Sequence, residues 1–382
     1  MFKRVFSFSG LEQETAFFWG PRQTGKSTLL KSLFALSARY DLLLSGEYQR
    51  LLANPSVFRE EVLNLQENKF PVIIDEVQKI PILLDEVQWL IVNHNIPFIL
   101  CGSSARKLKR NAANLLGGRA IRYELFPLVF PEIPDFDLLR ALEHGLLPKH
   151  YLSSNPIPLH RAYIGDYLKE EVSQEAISRN LHAFNGFLTS AAFSSGEIVN
   201  FTNIARDCGA SLYTVKEYFQ ILTDTLIGKF IPSFQKKPKR RVIQSPKFYF
   251  YDLCIINTLL NRRKILFPSE VFGKAFEQFI FQELSAHSKY SGFFYDIFYW
   301  RTASQLEVDF ILGDHNVAVE VKSTRHVDQD DMKGMKAFLE EYNVKQAIIV
   351  SLDPNTRKVG NIIIMPWMEF LQKLWSGQIY IE

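Results

Sequence analysis

Nine consecutive residues, Gly20, Pro21, Arg22, Gln23, Thr24, Gly25, Lys26, Ser27 and Thr28, carry the clearest chemistry in this chain. Gly20 and Gly25 flank four residues, and Lys26-Ser27 follow at once, which is the spacing G-x-x-x-x-G-K-S. Such glycines let the backbone wrap closely around phosphate with successive N–H groups turned inward. Lys26 then neutralises the β- and γ-phosphates, Ser27 offers a hydroxyl to Mg²⁺, and the following helix offers its positive end. A second acidic element stands at Asp75-Glu76, after an apolar run. There Asp75 orients the magnesium shell and Glu76 polarises the attacking water. A pair of this kind points to ATP hydrolysis rather than a GTP switch, although two acids can also simply open a helix. Ser103, at the end of another apolar run, is a candidate γ-phosphate sensor if that strand lies between those of the cradle and Asp75; Ser104 is its alternate. Arg119, just ahead of a further strand, could reach a neighbouring subunit's nucleotide as a finger in trans.

These residues need a rigid scaffold, and the surrounding pattern provides one. Apolar runs at 15–20, 41–46, 70–76, 96–104 and 121–128 alternate with helical stretches such as KSTLLKSLFALSARY, PSVFREEVLNLQE and LLDEVQWLIVN. That alternation predicts a doubly wound α/β domain with a parallel sheet. After Pro134 the reading turns helical to about residue 230. Within it, residues 199–231 resemble a winged helix-turn-helix: a helix ending near Cys208-Gly209, a second capped by Ser211, then a hairpin. Lys236, Lys237, Lys239, Arg240 and Arg241 form the best phosphate-contact cluster, or else a solvated linker. From about 248 a helix and several strands return. The expected division is 1–134, 135–247 and 248–382.

The motifs WGPRQTGKST, IIDEVQKIP, CGSSARKL and LLGGRAIRYELFPLVFPEI, with GKAFEQFIFQEL, YWRTASQLEVDFIL and VAVEVKS downstream, resemble the prokaryotic AAA-superfamily ATPases that carry a C-terminal domain of unknown function. The resemblance spans nearly the whole chain and implies a P-loop NTPase fold of AAA type, with ATP and Mg²⁺ as ligands. The loop ends in Gly-Gly-Arg where Ala-Gly-Arg or Thr-Gly-Arg is usual.

In the tail, Asp309 is followed eleven residues later by Glu320, with Lys322 two beyond, and Glu277 lies on a preceding helix. This arrangement resembles the PD-(D/E)xK nucleases. It implies that Glu277, Asp309 and Glu320 hold a second Mg²⁺ or Mn²⁺ while Lys322 positions water. Relatives of that fold often keep the scaffold for binding alone. The aromatic stretch FFYDIFYWR reads as core plus a strand edge rather than a base-stacking platform.

Two functions follow as expectations. In one, ATP turnover drives nucleic-acid binding or processing by the nuclease-like tail, with DNA or RNA as partner. In the other, ATP switches a non-catalytic tail that recognises protein or DNA. The bulk properties restrain both. Of 382 residues, 44 are Lys or Arg and 41 Asp or Glu, a net charge of +3 that by itself argues for no polyanion. The three cysteines lack paired spacing, and no apolar run is long enough to span a bilayer. The expected setting is therefore cytoplasmic, without a membrane partner, and with homo-oligomers if Arg119 acts in trans.

Overall fold

The computed structural model describes residues 2–8, 14–103, 116–168, 181–236 and 238–380. The run Thr15–Trp19 forms β1, buried throughout, and leads straight into the glycine loop. It is joined by β2 (Arg39–Asp41), β3 (Val72–Asp75), β4 (Phe98–Gly102) and β5 (Ala120–Glu124) in the order β2-β3-β4-β1-β5. Every pairing is parallel, as continuous apolar strands require. Phe17, Val72, Ile74, Phe98 and Leu100 bury their side chains against Phe58, Leu84 and Val87. Those three come from the helices Ser56–Leu63 and Leu83–His94.

Two local expectations change here. The run 41–46 is not a strand, because Asp41 accepts a hydrogen bond from the Leu43 N–H at 3.0 Å and turns the chain out of the sheet. Leu42 is buried, Leu43 and Leu44 are exposed, and a helix begins at Ser45. The helix after the glycine loop stops at Leu33. Phe34 leaves it, and its ring meets that of Phe8 at 5.5 Å.

The chain divides into two compact units, one of Phe6–Pro127 with Asp224–Leu226, the other of Met1–Val5, Leu128–Thr223 and Ile227–Glu382. In the second unit, helices Leu138–His144, Pro148–Leu152, Ile157–Ala162 and Leu181–Phe193 precede the pair Phe201–Cys208 and Leu212–Asp224. Gly209, at φ 66°, ends the first of that pair, and Ser211 Oγ caps the second by accepting from the Thr214 N–H at 3.0 Å. The antiparallel hairpin β6 (Gly228–Ile231) and β7 (Lys247–Phe250) follows.

A mixed sheet completes this unit, in the order β12-β13-β11-β10-β9-β8. Its strands are β8 (Ile297–Arg301), β9 (Glu307–Leu312), β10 (Val317–Val321), β11 (Gln346–Ser351), β12 (Arg357–Val359) and β13 (Ile362–Pro366). β8 is an edge strand whose Tyr299 and Trp300 are fully buried, so the aromatic stretch is core plus sheet edge.

The expected border at 247/248 falls inside β7. Phe187, Phe219 and Phe250 share one apolar core with Phe279, Phe281 and Phe310. Described residues on either side of 247/248 thus share aromatic packing. Among the described residues no helix is long and apolar enough to cross a membrane.

Candidate functional site

The glycine loop is shaped by backbone conformations that few residues accept. Gly25 stands at φ 94°, ψ 20°, at the head of the helix Lys26–Leu33. At Gly20 an added Cβ would lie 2.5 Å from the Leu125 carbonyl oxygen, so a side chain there is excluded. Thr24 Oγ1 donates to the Pro21 carbonyl at 2.9 Å and closes the loop. Lys26 Nζ donates to the carbonyls of Gly20 and Pro21 at 2.7 and 2.9 Å. Burial lowers its pKa, partly opposed by Cys101, Glu76 and Asp75. Pro21 is buried, whereas Arg22, Gln23 and Thr28 are exposed.

The parallel order brings β3 and β4 beside β1, and with them the remaining groups. Ser27 Oγ donates to Asp75 Oδ2 at 2.7 Å. β4 lies between β1 and β3, and buried Ser103 directly follows it. Glu76 sits in the left-handed region at φ 59°. Its carboxylate accepts from Gln78 Nε2, which also lies 3.4 Å from Ser103 Oγ. Gln78 therefore ties the candidate base to the candidate sensor. Ser104 lies outside the described residues.

Arg119 is not part of this cluster. Ala120 is paired with Thr15 at the start of β1, while Glu124 is paired with Trp19 beside the loop. Four residue steps put the exposed Arg119 about 13 Å or more from the loop end of the sheet.

The tail carboxylates do converge. A cleft of about 550 Å³ is lined by Glu277, Glu307, Asp309, Glu320 and Lys322, together with Lys247. Asp309 and Glu320 are neighbours across β9 and β10: Asp309 Oδ2 accepts from the Val321 N–H at 2.8 Å, and Glu320 Oε2 from the Asp309 N–H at 3.2 Å. Lys322 Nζ is 2.7 Å from Glu320 Oε1. Lys247 Nζ, from β7, lies 2.6 Å from Glu307, 3.5 Å from Glu277 and 3.9 Å from Asp309. Tyr249 donates its hydroxyl to Glu277, and Arg301 pairs with Glu307 at 3.0 Å. Burial and the nearby Glu320 and Glu277 push Asp309 well up, and burial raises Glu320 to about 7. Burial opposes the charge on Lys247, but Tyr249, Glu277, Glu307 and Asp309 outweigh it and hold the ammonium charged.

Among the described residues no group of three or more His, Cys, Asp or Glu is disposed to hold a metal. The basic connector is engaged in part: Lys236 pairs with Asp314, Lys239 Nζ donates to the Glu340 carbonyl, and Arg240 pairs with Glu340 and Glu341, whereas Arg241 is exposed. Lys237 lies outside the described residues.

Residues 12–134 match the family model described as an AAA domain. Residues 20–27 and 75–76 of that stretch form the cluster just described. The chain carries an AAA-type P-loop ATPase domain. Beyond it, residues 135–265 and 272–370 match two models described as domains of unknown function, DUF8612 and DUF4143. An uncharacterized protein of Mycobacterium tuberculosis is 26% identical over 316 residues, covering 80% of this chain and 69% of its own length. One of Haemophilus influenzae is 21% identical over 296 residues, 69% of this chain and 72% of its own. A solved structure of the Aeropyrum pernix Orc1 protein in complex with DNA aligns at a TM-score of 0.22 and 11% identity, covering 65% of this chain and 87% of that one. That likeness is too distant to carry an argument.

Sequence reading missed Gln78 in the ATPase domain and Lys247 and Glu307 in the cleft. Gln78 was within reach, two residues after Glu76 in IIDEVQKIP. The signal for Lys247 was a single cation heading the aromatic strand KFYFY, on the same face as Tyr249.

Proposed function

We propose that the ATPase domain binds Mg²⁺-ATP and hydrolyses it, and that turnover governs nucleic-acid binding by the rest of the chain. The observation that carries the reading is the 2.7 Å hydrogen bond from Ser27 to Asp75, which brings a hydroxyl and a carboxylate together beside the glycine loop. These are hard oxygen donors of the kind magnesium takes, so Ser27 and Asp75 would hold it. Bound magnesium supplies charge neutralisation on the β- and γ-phosphates. The chain's own groups do the rest. Lys26 gives its ammonium to phosphate oxygens in place of two neutral carbonyls. Glu76 accepts the proton of the attacking water, oriented by Gln78, and Ser103 reports the γ-phosphate through the same amide. Arg119, remote from its own loop, acts on a second copy of the chain.

The helix-turn-helix and hairpin at 201–250 support nucleic acid as the partner. The ion pairs of Lys236 and Arg240 and the cleft chemistry favour a second reading, in which the tail recognises a partner without cutting it. One assay separates these ideas: ATP hydrolysis by the full chain across protein concentration, with and without DNA. Glu76→Gln should keep ATP binding and lose about 100-fold or more in turnover, and normal turnover in that variant would remove the assigned base. Arg119→Ala should abolish any rise of turnover with protein concentration. DNA that neither binds nor changes the rate would leave only the second reading.

A further inference from the structure

We infer that Lys247 is the resident cation of the C-terminal carboxylate cleft, standing where a divalent metal would have to stand, so that the cleft takes no metal. The inference is independent of the ATP chemistry. It starts from the carboxylate oxygens. Glu307 gives Oε1 to Lys247 and Oε2 to Arg301. Glu277 Oε1 accepts from Tyr249 and faces Lys247 at 3.5 Å. Asp309 turns Oδ1 to Lys247 and Oδ2 to the Val321 N–H, and Glu320 divides its oxygens between Lys322 and the Asp309 N–H. Seven of these eight oxygens therefore already face a donor of the chain itself. A divalent ion needs several of them at about 2.0–2.6 Å, with their lone pairs available.

Charge leads to the same result. Of the seven acids lining the cleft, Glu277, Glu307, Asp309 and Glu320 face Lys247, Arg301 and Lys322, while Glu197 pairs with Lys274 and Asp330 with Lys333. A second cation placed beside a buried ammonium would be repelled strongly in this weakly screened site. Nor can Lys247 easily leave. Its side chain is 3% exposed, and the main chain is held on both sides. Ile231 pairs with it across the hairpin and Ile198 bridges it from the opposite side, while the N–H groups of Val199 and Gly196 donate to the carbonyls of Pro246 and Phe248. The ammonium also lies 5.5 Å from the centre of the Tyr299 ring. The lysine thus belongs to a strand fixed in a sheet, and only the side chain could be withdrawn. With Lys247 in place, the carboxylates offer no seat to the ion that phosphodiester cleavage on carboxylates requires.

The test is Mn²⁺ binding to the nucleotide-free full chain, followed by loss of the free-ion electron paramagnetic resonance signal. Four proteins are compared: wild type, Asp309→Asn, Lys247→Met, and the double variant. The expected result is no Asp309-dependent binding in the wild type. Lys247→Met should then gain a site at least tenfold tighter than any in the wild type, and Asp309→Asn should remove it again. Lys247→Gln is read alongside in case the methionine variant fails to fold. Asp309-dependent Mn²⁺ binding by the wild type would overturn the inference, and so would folded Lys247 variants that gain no site.

Discussion

Each unit of this protein buries a lysine next to carboxylates, and the two lysines are prepared for opposite tasks. Lys26 donates to the neutral carbonyls of Gly20 and Pro21, and burial lowers its pKa. Lys247 is ringed by Glu277, Glu307 and Asp309, which hold its pKa well up despite burial. An ammonium bonded to uncharged acceptors gains when an anion arrives. One already matched to carboxylates gains nothing and serves as a structural counter-ion. The residue type is the same, and what differs is whether its partners carry charge. A ligand site in a protein interior is marked less by a buried charge than by one left electrostatically incomplete.

This contrast can be broken by removing each lysine in turn. Lys26→Met should abolish measurable ATP binding, a loss of at least about 100-fold by calorimetry. Its unfolding midpoint without nucleotide should stay level or rise, because a desolvated cation with neutral partners has been replaced by an apolar chain of similar length. Lys247→Met should do the reverse and lower stability by about 3–5 kcal/mol in urea melts, since three acids lose their shared partner. If both variants lose stability alike, the contrast between them fails.

A smaller effect comes from Glu283, a buried acid that belongs to neither site. Its carboxylate accepts from the Phe130 N–H at 2.8 Å and from Trp375 Nε1 at 2.7 Å, yet burial raises its pKa from 4.5 to about 8. A carboxyl whose folded pKa exceeds its unfolded value binds more protons in the native state. Stability is therefore full below about pH 4.5 and declines as pH rises through about 8, by on the order of 5 kcal/mol at most. Glu283→Gln cannot ionise, so its urea midpoint should fall less between pH 5 and pH 8.5 than that of the wild type. Equal slopes would show that Glu283 does not carry this pH dependence.

How far the chain could be read from its sequence follows the distance between cooperating residues. The cradle was legible because Gly20 to Thr28 are contiguous and each type has a stated task. The position of Asp75-Glu76 at the end of an apolar strand was legible, and that of Ser103 needed only the strand order, with β4 between β1 and β3. Leu43 and Leu44 misled because apolar residues ordinarily mark strands, and here one hydrogen bond to Asp41 turns them outward. The aromatic core that crosses 247/248 was not legible, because a polar linker, 235–241, is a local signal and the core is not. Lys247 escaped for the same reason. It meets Glu277 from the helix Glu270–Tyr290 and Glu307 from β9, and neither meeting is written in local spacing.

The central claim is that one unit is built to take a metal with its nucleotide and the other is already filled by its own lysine. The most direct measurement is metal analysis of the full chain after gel filtration in Mn²⁺ with a non-hydrolysable ATP analogue. We expect about one ion per chain, lost in Lys26→Ala together with the nucleotide. Two ions per chain, or one that survives Lys26→Ala, would contradict it.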